Sequence, residues 1–216
     1  VKSSTNTAAF DTNSASVRVW KEGVEITNLV DIGYSFNNDV DEYGNYVRCE
    51  PNTDYCESLF VNFGLEQMYG NIKFEYEYTI KGVITEYSDI SELNWILFNY
   101  MEADVEEAHV VVNFPTNSYT TDDLYVWGHG LADGTITIVD NNTVEMNINK
   151  IKKEEMLEFR ILTPTSLYPD ILDKNIVIHP DMNKQVIIDY EADLARQTNF
   201  RITVAQIGRA SCRERV

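Results

Sequence analysis

From Asn71 to Gly82 the chain reads NIKFEYEYTIKG, and apolar and polar side chains alternate through it without a break. Ile72, Phe74, Tyr76, Tyr78 and Ile80 fall on one face of an extended chain, and Lys73, Glu75, Glu77, Thr79 and Lys81 fall on the other. This period of two predicts a half-buried strand, and a strand of that length left unpaired at an edge is a liability. The pattern recurs. AHVVVNFP predicts a more apolar strand stopped by Pro115, and MLEFRIL sets Leu157, Phe159 and Ile161 against Glu158 and Arg160. TITIV and TVEMNIN predict a hairpin across Asp140-Asn141-Asn142, where Asn and Asp tolerate turn geometry. SVRVW, VEITNL, VDIGYSF and SLFVNFG add four shorter candidates. Strands and turns at this spacing predict a mainly β chain, an antiparallel β-sandwich of immunoglobulin-like or related type.

Two segments carry a helical signal instead. SDISELNWILFNY opens with Ser88 or Asp89 as an N-cap and Glu92 at capping-box distance, predicting one or two helical turns before a return to strand. NKQVIIDYEADLARQTN places Val186, Ile187, Tyr190 and Leu194 on one stripe, with Asp189, Glu191, Asp193 and Arg196 elsewhere, and predicts an amphipathic helix. Residues 1–182 thus read as a β region, divisible into two sub-domains near residue 70, and 183–206 as a terminal helix.

The last ten residues, IGRASCRERV, break every pattern before them. They match one reading frame of a common short-read sequencing adapter, so Ile207–Val216 is expected to be adapter sequence and is excluded from the fold. The whole chain carries a net charge of −18. Without Arg209, Arg213, Arg215 and Glu214 the balance is about −20. Such a charge argues against nucleic acid and against direct docking on anionic lipid. No run of 18 apolar residues occurs, so no segment present predicts a membrane span.

Candidate chemistry is sparse. Cys49 and Cys56, in CEPNTDYC, bracket a turn and read either as a hairpin disulfide or as two thiols. DVDEYGNYVRCE sets Asp39, Asp41, Gly44 and Glu50 at positions one, three, six and twelve of a calcium loop. Tyr43 occupies a ligand position there and no helices flank it, so the competing reading is an acidic turn, and no metal or other cofactor is assigned. His129 lies between Gly128 and Gly130, a placement that suggests either a catalytic base or a structural turn. No G-x-S-x-G accompanies it, and His109, His129 and His179 lack zinc-ligand spacing, which favours the turn. Acidic pairs at Glu106-Glu107 and Asp122-Asp123, with Trp20, Trp95 and Trp127 as a platform, would suit a carbohydrate-binding or carbohydrate-active domain.

From Tyr76 to Pro169 the order of elements becomes specific. YEYTIKGVITEYSDISELNWILFN is followed by HVVVNFP, by DLYVWGHGLADGTITIVDNNTV and by LEFRILTPTSLYP. Asp89, Glu92, Trp95, Trp127, His129, Gly130 and Arg160 stand out within it, and the series resembles the bacterial predicted membrane proteins of domain-of-unknown-function 2207. The resemblance implies a signal sequence, an all-β extracytoplasmic region and a following transmembrane helix, with 183–206 leading toward that anchor. It brings no reaction, so those seven residues are expected in turns and core packing. The expected function is a non-enzymatic binding or assembly module at the bacterial cell envelope. Its partner would be an envelope protein or surface ligand, with the membrane reached through a segment not present here.

Overall fold

A computed structural model of the chain describes residues 9–40, 42, 46–49, 58–64, 69–99, 101–115, 123–130, 133–168 and 182–197. It is mainly β, with several antiparallel sheets and one helix near the C-terminus. The chain divides into two compact units, Val1–Val83 and Ile84–Val216.

In the first unit, β1 (Ala9–Lys21) lies between β2 (Val24–Glu25) and β6 (Ile72–Lys81). A second sheet has β3 (Asp31–Val40) between β4 (Tyr46–Cys49) and β5 (Ser58–Asn62). Glu22 and Gly23 turn β1 into β2 with φ of 49° and 81°, the paired positive values of a type I′ hairpin. The Glu22 carboxylate accepts the Asn71 backbone N–H at 2.6 Å, which holds its pKa below the ordinary carboxylate value. Val17, Val19 and Ile26 form the buried cluster, covered by side chains that include Ile32, Leu59, Val61 and Ile72. Phe74, Tyr76 and Tyr78 of β6 share the inward parity but remain 40%, 45% and 51% exposed. The segment VEITNL yields only the two residues of β2 and a 3-10 turn at Thr27–Leu29.

The second unit holds a four-stranded sheet and a three-stranded sheet. The first has the order β10 (Tyr125–Gly130), β13 (Leu157–Thr163), β8 (Ser91–Phe98), β7 (Ile84–Glu86). The second has the order β11 (Asp133–Asp140), β12 (Thr143–Lys150), β9 (Ala108–Asn113). Val144, Met146 and Ile148 of β12 meet Leu157, Phe159 and Ile161 of β13 in one buried cluster. The β11–β12 hairpin turns at Asn141-Asn142, where the Asp140 carboxylate accepts the Asn142 N–H at 3.0 Å. In β13, Ile161, Leu162 and Thr163 are all buried. A strand buried at consecutive positions is covered on both faces. The sheet core takes Ile161, and the helix at 184–197, here α1, takes Leu162.

One helical expectation and one turn are corrected. The described residues 88–99 form no helical turn; Ser91–Phe98 is strand β8, and Glu92 is a buried strand residue rather than part of a capping box. YVWGHG, expected as a turn around His129, is strand β10. The helix at 184–197 is as expected, but its buried stripe differs. Ile187 and Glu191 are buried and Leu194 half-buried, whereas Val186 and Tyr190 are 41% and 55% exposed. The local apolar pattern pointed to Tyr190; the partner waiting on the sheet selects Glu191.

Ile161→Ala, at a fully buried position, should cost about 3 kcal/mol in urea unfolding, and Val111→Ala, on an exposed site, less than about 0.5 kcal/mol. Ser91 and Thr163 sit opposite each other in the sheet with buried hydroxyls that lack hydrogen-bond partners. Thr163→Val should therefore raise stability by about 1 kcal/mol. A loss of that size would show that the hydroxyl is satisfied.

Candidate functional site: an ionic clamp under the C-terminal helix

Strand alternation lays out a grid on the face of the four-stranded sheet that α1 covers. The paired registers place Tyr125, Leu162 and Glu92 in one row, Trp127, Arg160 and Asn94 in the next, and His129 and Glu158 beyond. Ile187 of α1 packs into the first row with Leu162, Ile90, Tyr87, Tyr125 and Trp127. One turn later on the helix, Glu191 arrives over the charged rows.

Both oxygens of Glu191 are engaged. One pairs with Nη1 of Arg160, and Oε2 lies 2.8 Å from His129 Nε2. A carboxylate only accepts, so Nε2–H of the imidazole is the donor. Arg160 Nε sits 2.8 Å from Glu92 Oε1, yet its N–H is not directed at an acceptor, so this contact is an ion pair rather than an aligned hydrogen bond. Glu92 Oε2 accepts the Tyr87 hydroxyl at 2.9 Å. Burial first, and then the Glu92 charge, push the Tyr87 phenol far above its ordinary pKa, so it remains a donor across the physiological range. On the far side, His129 Nδ1 stands 4.0 Å from Glu158. The sequence Tyr87–Glu92–Arg160–Glu191–His129 thus runs without a gap through β8, β13, α1 and β10.

The start of the helix is held as well. Asn183 Oδ1 accepts the Val186 N–H at 3.1 Å, the N-cap geometry. Asp89 Oδ1 accepts the Lys184 N–H at 3.0 Å from 95 residues away in the chain. Negative charge at a helix N-terminus is favourable. Lys184 reaches back over the Tyr125 ring at 5.6 Å, and Tyr125 stacks on Trp127 at 6.2 Å.

Of the seven residues singled out in the sequence, Glu92, Trp127, His129 and Arg160 lie on the helix-facing side of the sheet, and Asp89 lies at the helix start. Trp95 points into the opposite, apolar core. Gly130 also has that parity; its φ is +138°, and a Cβ there would come within 2.2 Å of the Met156 carbonyl oxygen. Sequence reasoning missed Tyr87, Glu158 and Glu191. Glu191 had a readable signal, since a carboxylate four residues after Ile187 and three before Leu194 interrupts an apolar stripe.

A cleft of about 240 Å³ opens beside β10, and His129 and Glu158 border it together with Gly128, Gly130, Gly134, Ile136, Met146 and Leu157. Strand alternation sends the side chains of His129 and Glu158 to the helix side, where His129 meets Glu191 and Glu158. His129 has carboxylate partners on both nitrogens, which is not the arrangement of a nucleophile's base. Trp20 has Lys73 at 4.5 Å and Arg18 at 5.0 Å from its ring, Trp95 packs on the core and Trp127 on the helix cluster. All three tryptophans are half-buried. No group able to hold a metal ion occurs among the described residues. The calcium candidate Asp39, Asp41, Glu50 and the Cys49–Cys56 pair involve side chains outside the described residues.

The family described as predicted membrane protein (DUF2207) N-terminal domain matches residues 5–163. The chain belongs to this family. No curated protein and no solved structure matches it. The matched span ends at Thr163, so it contains Glu92, His129 and Arg160 but not Glu191.

An isolated helix of this length, about 21 Å, is marginal in water, so exchange of its amides reads its docking. Glu191→Ala should cost about 3 kcal/mol and accelerate hydrogen exchange throughout α1 while leaving β12 protected. Asp89→Ala should cost about 1 kcal/mol and act mainly on the first turn. Unchanged exchange in the Glu191 variant would mean that Ile187 alone holds the helix.

Proposed function

We propose that this chain is the extracytoplasmic β portion of a membrane-anchored protein of the bacterial envelope, serving there as a non-enzymatic binding or assembly module. Membership of a predicted membrane protein family supports the anchored state. No helix among the described residues is long and apolar enough to cross a membrane, so the reading places the span elsewhere in the protein. The net charge of −18 suits a body held off an anionic lipid surface.

The observation that carries the reading is the clamp on α1. A terminal helix held by three elements of a sheet is a rigid connector, not a flexible tether. It fixes the orientation of the β unit relative to whatever follows residue 197. Such a joint suits a module that presents a surface at a set angle to the membrane, or that passes a load from a bound partner to an anchor.

The test is protease shaving of spheroplasts that express the full-length membrane protein. Added protease should remove the β region while a cytoplasmic control stays intact. A β region protected until the inner membrane is permeabilised would contradict the extracytoplasmic reading.

A further inference from the structure

The clamp gathers three carboxylates, Glu92, Glu158 and Glu191, against one guanidinium, Arg160, and His129 lies between two of the carboxylates. With the imidazole neutral, negative charge is in excess under a helix that keeps water away; the Glu191 side chain is only 3% exposed. In that form Nε2–H donates to Glu191, and Nδ1 turns a bare lone pair toward the Glu158 carboxylate 4.0 Å away. A second proton, on Nδ1, makes that facing pair of acceptors attractive and makes the Glu191 hydrogen bond charge-assisted.

We propose that protonation of His129 is coupled to docking of α1. The helix is held more tightly when the imidazole is charged, so the connector stiffens in mild acid and loosens as the pH rises through the histidine range. The coupling rests on the docked helix and not on the side of the membrane it faces.

The sign follows from what undocking removes. When α1 leaves, Glu191 leaves with it, whereas Glu158 stays on β13 beside the imidazole. A charged imidazole therefore gains a carboxylate on docking, and by linkage the proton favours the docked helix. Two effects oppose this. The helix takes water from the imidazole, but the His129 side chain remains 24% exposed, so its desolvation is partial. Arg160 is a like charge nearby, but Glu92 and Glu191 already flank its guanidinium. No other charged group faces His129 among the described residues. Its row across the sheet continues through Glu158 to Ile96. Tyr190 of α1 sets its ring against Arg160, and the adjoining cleft adds only glycines, Thr135 and apolar side chains to His129 and Glu158.

Amide exchange of the whole chain, expressed as protection relative to the unstructured rate at each pH, tests this. A charge-assisted hydrogen bond holds roughly tenfold more strongly than a neutral one. Protection of α1 should therefore rise about tenfold from about pH 8 to about pH 5.5, a range that stays above carboxylate titration. His129→Gln keeps a donor for Glu191 but does not titrate, and should flatten the profile. His109→Gln should leave the rise intact, because His109 pairs with Glu145 on the three-stranded sheet. If His129→Gln leaves α1 undocked, Glu158→Gln retains the Glu191 contact and should cut the rise to about threefold. A flat wild-type profile, a rise that persists in His129→Gln, or a Glu158→Gln profile identical to the wild type overturns the proposal. The Glu191→Ala variant reads docking of the helix at a single pH, so a failed clamp and a failed coupling give different results.

Discussion

Arg160 has to carry a guanidinium on the face of a sheet that a helix covers, and the groups around it follow from that requirement. A half-buried cation, its side chain 17% exposed, is stabilised there by the carboxylates that surround it. Glu92 arrives from the neighbouring strand and Glu191 from the helix, one on Nε and one on Nη1. Each carboxylate then needs a second donor, and Tyr87 and His129 supply it. Removing a member leaves its partners desolvated and unpaired, which is why the clamp behaves as a unit. Such a cluster specifies one docking of the helix more strictly than apolar contact would, because a slip by one residue breaks every pair.

Close approach of backbones is the second constraint in the same unit. β10 brings the helix-facing residues Tyr125, Trp127 and His129 alternately with Val126, Gly128 and Gly130. The glycines let the other sheet come in beneath: a Cβ at Gly128 would meet Ile136 Cδ1 at 2.8 Å. His129 between two glycines is therefore a consequence of alternation on a strand with one crowded face. The imidazole points to the carboxylates, and the glycines accommodate the core.

Much of the β architecture was legible because it is written in period two. β6, β9, the β11–β12 hairpin and β13 are strands where their patterns put them, although the aromatic row of β6 stays exposed and the end of β13 is buried on both faces, and Asp140 signals its turn through its own carboxylate. The failures have a common physical origin. SDISEL carries local capping chemistry, but Asp89 caps a helix 95 residues later in the chain, and Glu92 is claimed by Arg160. Local rules identified the groups able to cap and pair; tertiary partners decided what they cap and pair with. The same holds in α1, where Tyr190 fits the apolar stripe by sequence and Glu191 occupies it in space. The residues from Asp89 to Arg160 could be picked out as a series, but their convergence depends on strand order β10-β13-β8, which no single segment encodes.

The account stands on Arg160 and Glu191 acting together, and a double-mutant cycle measures that directly. Equilibrium unfolding of the wild type, Arg160→Met, Glu191→Gln and the double variant gives the coupling between the two side chains. A coupling of about 2 kcal/mol or more, with the double variant little worse than Arg160→Met, is the predicted result. Additive losses, with a coupling under about 0.5 kcal/mol, would contradict the clamp and leave α1 held by apolar packing alone.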